Sequence, residues 1–217
     1  GNSPFGFLQL YDPSIKESIS SFDFQLTAIQ DIQVKDSITW VLFQDGQDNG
    51  LMKFIFDGRW EYRDSYRNYP QSISTINCFL ALDSMIFLGT NDGIYSSILE
   101  NNLKNPLSWE KSIQGAENPI YSIDASADKL LFTAENGVFE YSFLDNQLNQ
   151  IEIQVELEQA LNISIFGNDY WFSDDRHLYI IKNNEFLLIE NKHNILAISK
   201  FGETYILGTE NGIIFLE

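Results

Sequence analysis

Six carboxylates recur at the turn tips of a repeating unit: Asp48, Asp92, Glu135, Asp174, Asp175 and Glu210. Gathered on one rim, they would attract a basic partner or hold a hard cation such as calcium, which takes oxygen ligands. Asp64, Glu117 and Glu158 stand in the connections that adjoin that rim. Solvating hairpin tips in an acidic protein is the simpler use of the same residues. A second patch interleaves Tyr62, Tyr66 and Tyr69 with Arg63 and Arg67. Tyrosine and arginine are the side chains that anchor interfaces, so Tyr66, Arg67 and Tyr69 are candidate binding residues. The same aromatics would serve equally well as packing between neighbouring repeats.

Acid, base and nucleophile roles need companions that the chain supplies sparsely. His177 and His193 are its two histidines and Cys78 its one cysteine, so metal ligation by His and Cys fails on count, and neither histidine stands in a nucleophile motif. Among 31 acidic residues a pair at glycosidase spacing arises by chance and carries no information. The expectation is therefore a chain that is not an enzyme and has no resident cofactor, with calcium as the one candidate ion. A net charge of −18 argues against nucleic acid and anionic lipid, which are held by clustered Lys and Arg. The partner expected is a protein or small ligand, basic in character. No apolar run reaches the roughly 18 residues needed to span a bilayer. Cys78, beside Phe79, reads as a small buried hydrophobe.

The elements that must position these residues are strands. Leu88-Gly89-Thr90-Asn91-Asp92-Gly93-Ile94-Tyr95 returns as Phe132 to Phe139, Phe172 to Tyr179 and Leu207 to Ile214. Fourteen residues before the last turn residue of each copy stand Phe79, Ile123, Ile163 and Ile198, without gaps. Asn-Gly and Asp-Gly supply the positive φ of tight hairpins, so Gly93 and Gly212 are expected there. Turn residues Gly50, Gly93, Gly137, His177 and Gly212 recur about every 40 residues, the period of a four-stranded propeller blade. Second strands such as Met85 to Leu88 and Lys129 to Phe132 are apolar on both faces, as a blade between two others requires.

The expected fold is one all-β domain over residues 1–217, a β-propeller of four-stranded antiparallel blades. Five blades are expected, the three C-terminal strands being completed by an N-terminal one, Phe5 to Tyr11 or Ile19 to Gln25, so that no sheet edge stays open. The alternative is a fragment of a larger propeller. Outer strands are expected at Arg59 to Arg63, Ser108 to Ser112, Ile151 to Leu157 and Glu185 to Glu190, with a long turn from Gln44 to Gly50. Asn162-Ile163-Ser164 fits the glycosylation sequon but falls inside an inner strand.

Ile86 to Tyr95 and Tyr205 to Ile213 resemble the repeat of two-component-regulator propellers, whose blades carry apolar-Gly-Thr-x-x-Gly-apolar. Ser96-Ser97 with Ser108-Trp109-Glu110 is similar, more weakly, to an Asp-box blade of the sialidase kind. Sialidase chemistry would need three arginines converging from different blades. Arg59, Arg63 and Arg67 instead share one outer strand and its exit. The resemblance implies the propeller fold and leaves the role open; the leading expectation is a non-catalytic protein-interaction or ligand-sensing module of an exported protein, periplasmic or extracellular, or of the cell envelope. The rivals are a calcium- or sugar-binding lectin-like propeller, and a hydrolase or lyase with a carboxylate site at the channel mouth.

Overall fold

The computed structural model describes residues 7–12, 17–23, 28–46, 48–153, 161–174, 177–183, 185–190 and 193–216. Two strands, β1 (Phe7–Asp12) and β2 (Glu17–Asp23), precede the repeats. The first blade is β3 (Ala28–Lys35), β4 (Ile38–Asp45), β5 (Asp48–Phe56) and β6 (Trp60–Tyr66). The second is β7 (Ile76–Ala81), β8 (Met85–Thr90), β9 (Gly93–Ile98) and β10 (Glu110–Lys111). The third comprises β11 (Ile120–Ala125), β12 (Lys129–Ala134), β13 (Gly137–Ser142) and β14 (Leu148–Gln150). The fourth comprises β15 (Asn162–Phe166), β16 (Asp169–Ser173), β17 (His177–Lys182) and β18 (Glu185–Glu190). The fifth holds β19 (Ile195–Phe201), β20 (Thr204–Thr209) and β21 (Gly212–Leu216).

Each blade is a meander whose strands pair in chain order, which makes the protein the all-β propeller of five successive blades that its period calls for. The chain divides into two compact units, residues 1–87 with 96–110 and residues 88–95 with 111–217. The dividing line runs through the second blade.

Four expectations need correction. Among the described residues the N-terminal strands pair with each other, and the fifth sheet has three strands without an N-terminal one. Strands adjacent in sequence pair at little loop-closure cost, whereas pairing with β21 would close a loop of nearly the whole chain. In the first blade the long turn is replaced by a tight one, since β4 and β5 stay paired out to Asp45 and Asp48 and Gly46 takes a φ of 64°. Gly50 consequently lies inside β5, opposite Phe43. The outer strand of the second blade shrinks to two residues. Asn105 caps a 3-10 turn at Pro106–Ser108, and the Trp109 indole donates to the Leu103 carbonyl at 3.1 Å, tying the chain into a loop. In the third blade the outer strand starts earlier, at Leu148, because Asn146 turns the chain at a φ of 56° with Tyr141 donating to its side chain. Part of the expected Ile151 to Leu157 strand lies outside the described residues.

Burial follows strand rank. From the second position onward β8 and β12 are fully buried, as the apolar runs on both faces of these second strands call for. Within the second unit, Val138 of the third blade packs with Ile163, Phe172 and Tyr179 of the fourth. One blade on, Leu178 and Ile180 pack with Ile195 and Leu207. Burying one such side chain contributes about 1.5–3 kcal/mol.

Inner strands are joined by a second device. Ser122 accepts from the Ile163 amide at 3.1 Å and Asp124 from the Ile165 amide at 2.7 Å. Asn162 then donates to the Ile195 carbonyl and Ser164 to that of Ile198. In the first unit Gln33 does both, donating to Phe79 and accepting from the Ala81 amide. Burial pushes the Asp124 carboxyl up from the ordinary aspartate range, and the amides of Ile165 and Ala125 oppose that. Asn162 is thus engaged within the inner strand, as its place in the sequence suggested, and Cys78 is buried, as expected of a small apolar side chain.

Candidate functional site

The turn between second and third strands explains why the repeat carries Gly-Thr-x-x-Gly. Thr90 donates to the Gly93 carbonyl at 2.8 Å and accepts from the Asp92 amide at 3.0 Å, so one hydroxyl clips the turn from inside. Thr209 repeats the clip with Gly212 and Asn211. Gly93 and Gly212 take the expected positive φ, 101° and 134°. At Gly93 there is a second reason, since a Cβ would run into the carbonyl oxygen of Ala116, where the chain leaves the outer strand.

The carboxylates at these turns divide into two kinds. Asp92 accepts from the Tyr95 hydroxyl at 2.7 Å and pairs with Lys111 at 3.3 Å. The Tyr95 bond, with Lys111 behind it, holds its carboxyl below the usual range. Asp174 occupies the clipping position that Thr90 holds and is buried. It accepts from Tyr179 at 2.5 Å and from the His177 amide at 2.7 Å, with the His177 ring at 3.1 Å. A carboxylate can only accept, so it draws donors from the third strand where threonine would have given one. His177, expected as a turn residue, opens β17 and lies against this carboxylate.

Glu135 and Glu210 are of the other kind. Both are exposed at their tips, while their backbone amides bond Pro119 and Asn194 just ahead of the inner strands. Asp48 opens β5, and Asp175 and Glu158 lie outside the described residues. Glu117 is exposed, and Asp64 pairs with Lys104 at 2.6 Å. Asp92 and Asp174 serve their own turns, and among the described residues no three His, Cys, Asp or Glu side chains converge.

The tyrosine and arginine crossing is bound into the first unit. Tyr66 lies 5.6 Å from the Trp40 ring and Tyr69 meets Trp109 edge-on at 5.4 Å. The Tyr69 hydroxyl donates to the Tyr66 carbonyl, and burial pushes both phenols above their ordinary value. Arg67 reaches Asp45 with two nitrogens at 3.3 Å and covers the Phe43 ring.

A cluster outside the residues expected from the sequence lies at the other end of the third and fourth blades. Lys129 donates to Glu140 at 3.1 Å and to Tyr170 at 2.7 Å, and Tyr170 donates to the same Glu140 oxygen at 2.7 Å. The bonds to Tyr170 and then Glu140 raise the Lys129 pKa, and burial raises that of Tyr170. Opposite charges eleven residues apart, one on each of two antiparallel strands, were the signal available for Lys129 and Glu140. Nothing local pointed to Tyr170.

No family model matches the sequence, and no curated protein sequence matches it. Solved structures do. One is PorZ, a bacterial surface component of the type-IX secretion system of Porphyromonas gingivalis, with 10% identity over 97% of this chain and 28% of that one, at a TM-score of 0.65. Another is the extracellular domain assigned to a one-component system, BT4673, from B. thetaiotaomicron, with 16% identity over 87% and 26% and a TM-score of 0.61. The third is the Pan2 WD40 domain of Neurospora crassa, with 10% identity over 85% and 56% and a TM-score of 0.60. The chain thus spans between about a quarter and somewhat over half of these proteins, and at such identities the likeness is one of fold. Among the described residues no helix is long and apolar enough to cross a membrane.

Proposed function

We propose that this is a non-catalytic binding propeller, which meets a basic protein or small ligand through its acidic turns as an interaction or sensing module of an exported or envelope protein. The observation that carries the reading is the pair Glu135 and Glu210. They stand at equivalent turn tips, exposed, with their backbones tied down. Fixed tips with exposed charged ends suit electrostatic recognition, which needs no acid, base or nucleophile. The likeness of the repeat to two-component-regulator propellers, and of the fold to a one-component system's extracellular domain, supports a sensing role over a catalytic one.

The test uses an oligolysine peptide as probe, followed by fluorescence anisotropy. Glu135→Gln with Glu210→Gln should weaken its binding about fivefold, each exposed pair being worth up to about 1 kcal/mol. Raised salt should weaken the parent in the same sense, since exposed charges are screened beyond about 8 Å at physiological ionic strength. Equal binding by parent and double variant would remove these two residues from the interface. Asp92 is kept out of that variant, because neutralising it also loosens its own turn.

A further inference from the structure

A cleft of about 190 Å³ lies where the β11–β12 and β15–β16 turns come together, lined by Ser126, Asp128, Lys129, Ile165, Asn168 and Tyr170, with Gly167 at its rim. That volume would hold about six waters at ~30 Å³ each, room for one small ring-shaped molecule. It sits at the opposite end of β12 from Glu135, away from the acidic turns.

The walls define the ligand by what each group still has to give. Lys129 carries three donors. Two are committed, to Glu140 and Tyr170, and one remains. Glu140 balances its charge, so an anion entering here would meet an ammonium already neutralised and a second carboxylate beyond it. Asp128 has one oxygen bonded by the Ser126 hydroxyl at 2.7 Å, and the other still accepts. A cation drawn to Asp128 would lie beside the Lys129 ammonium. The Asn168 side chain adds a donor and an acceptor, Ile165 and the Tyr170 ring supply apolar surface, and a Cβ on Gly167 would meet nothing within 4 Å, so the mouth is open. An acceptor, a charged donor, an amide and a short apolar wall together match neighbouring hydroxyls on a carbon ring.

We propose that this cleft is a binding site for a small neutral polyol of the size of one sugar ring, its hydroxyls donating to Asp128 and accepting from Lys129 and Asn168. The site is separate from the acidic turns, so its failure leaves the binding reading above intact. Its position puts the polyol on the third and fourth blades. Ser126 and Tyr170 are positioning residues, the first fixing the Asp128 carboxylate and the second the Lys129 ammonium.

The experiment is an amide chemical-shift titration of the full chain with glucose, galactose and inositol, and with glycine and inorganic phosphate as zwitterionic and anionic probes. The expected result is saturable shifts from a neutral polyol, confined to residues 126–129 and 165–170. Asp128→Asn and Asn168→Ala, both in turns outside the core, should each weaken binding about tenfold with the remaining spectrum unchanged. Tyr170→Phe, which removes the hydroxyl holding Lys129, should weaken it too, and Ser126→Ala less. Shifts spread over the whole protein, tighter binding of phosphate or glycine than of any polyol, or no saturation at tens of millimolar would each overturn the proposal.

Discussion

The fourth and fifth blades run in register through their first three strands, yet the same position has opposite surroundings in the two. Leu178 opposes Ser173 across the hairpin as Ile213 opposes Gly208, and Leu178 is 1% exposed against 65% for Ile213. Two residues on, Ile180 is 6% exposed and Phe215 64%. The side chains are alike; what differs is what surrounds them. β18 runs alongside β17, with Ile189 opposite Leu178 and Leu187 opposite Ile180, and Ile195 and Leu207 of the fifth blade close over both. Among the described residues β21 pairs with β20 alone. The lesson is that a blade's third strand is buried by the outer strand and by the blade that follows it, so apolarity at this position reports where a neighbour is wanted.

The largest effect expected from this comparison is in the core. Leu178→Ala should cost about 3 kcal/mol, the transfer and cavity terms of a buried leucine, and Ile213→Ala less than about 0.5 kcal/mol in urea denaturation. Equal losses would mean that Ile213 is covered in solution. Next come the clips. Asp174→Ala removes the acceptor of the buried Tyr179 hydroxyl and of the His177 amide and should cost about 2 kcal/mol or more, against about 1 kcal/mol for Thr209→Ala in the fifth blade. Thermal melts of the two variants decide the order.

Glycine gives a smaller, graded contrast. Gly212→Ala is strained by its φ alone and should cost about 1 kcal/mol, because open space surrounds it. Gly93→Ala meets the Ala116 carbonyl as well and should cost more. A Gly93 variant melting with the parent would break the equivalence of the turns. The smallest effect concerns pH. Asp92 has a carboxyl pKa lowered from 3.8 in the folded state, so its contribution is fully present above 3.8 and is lost as pH falls through the lowered value. Asp92→Asn gives the second blade the amide that Asn211 provides in the fifth, and should flatten that acid limb of the stability curve. An unchanged acid limb would show that Tyr95 and Lys111 do not hold Asp92 in solution.

Strand order and blade count were legible because Gly-Thr-x-x-Gly and the apolar residue fourteen places earlier report local, repeated geometry. Glu185–Glu190 falls where the sequence placed it. Outer strands were less legible. Where a 3-10 turn at Pro106 or a bend at Asn146 intervenes, pairing partners are chosen by the loop and not by alternation. At the candidate site, the acidic residues were visible but their engagement was not, since Asp174 looks like Glu135 until Tyr179 is brought over it. Polar residues on either side of Ile123 and Ile163 were a readable sign of the inner-strand bonds. They were passed over because a polar residue in a strand ordinarily marks the solvent side.

Those inner-strand bonds bear on how such a chain can change over time. Ser122, Asp124, Asn162 and Ser164 each reach a peptide N–H or C=O of the following blade, groups that almost any residue there would present. The neighbour's side chains are therefore free to be rewritten without loss of the junction, provided the strand itself persists. A joint addressed to main chain tolerates drift as a joint addressed to side chains cannot. It accords with a fold that stays recognisable at 10 to 16% identity to PorZ and the BT4673 domain.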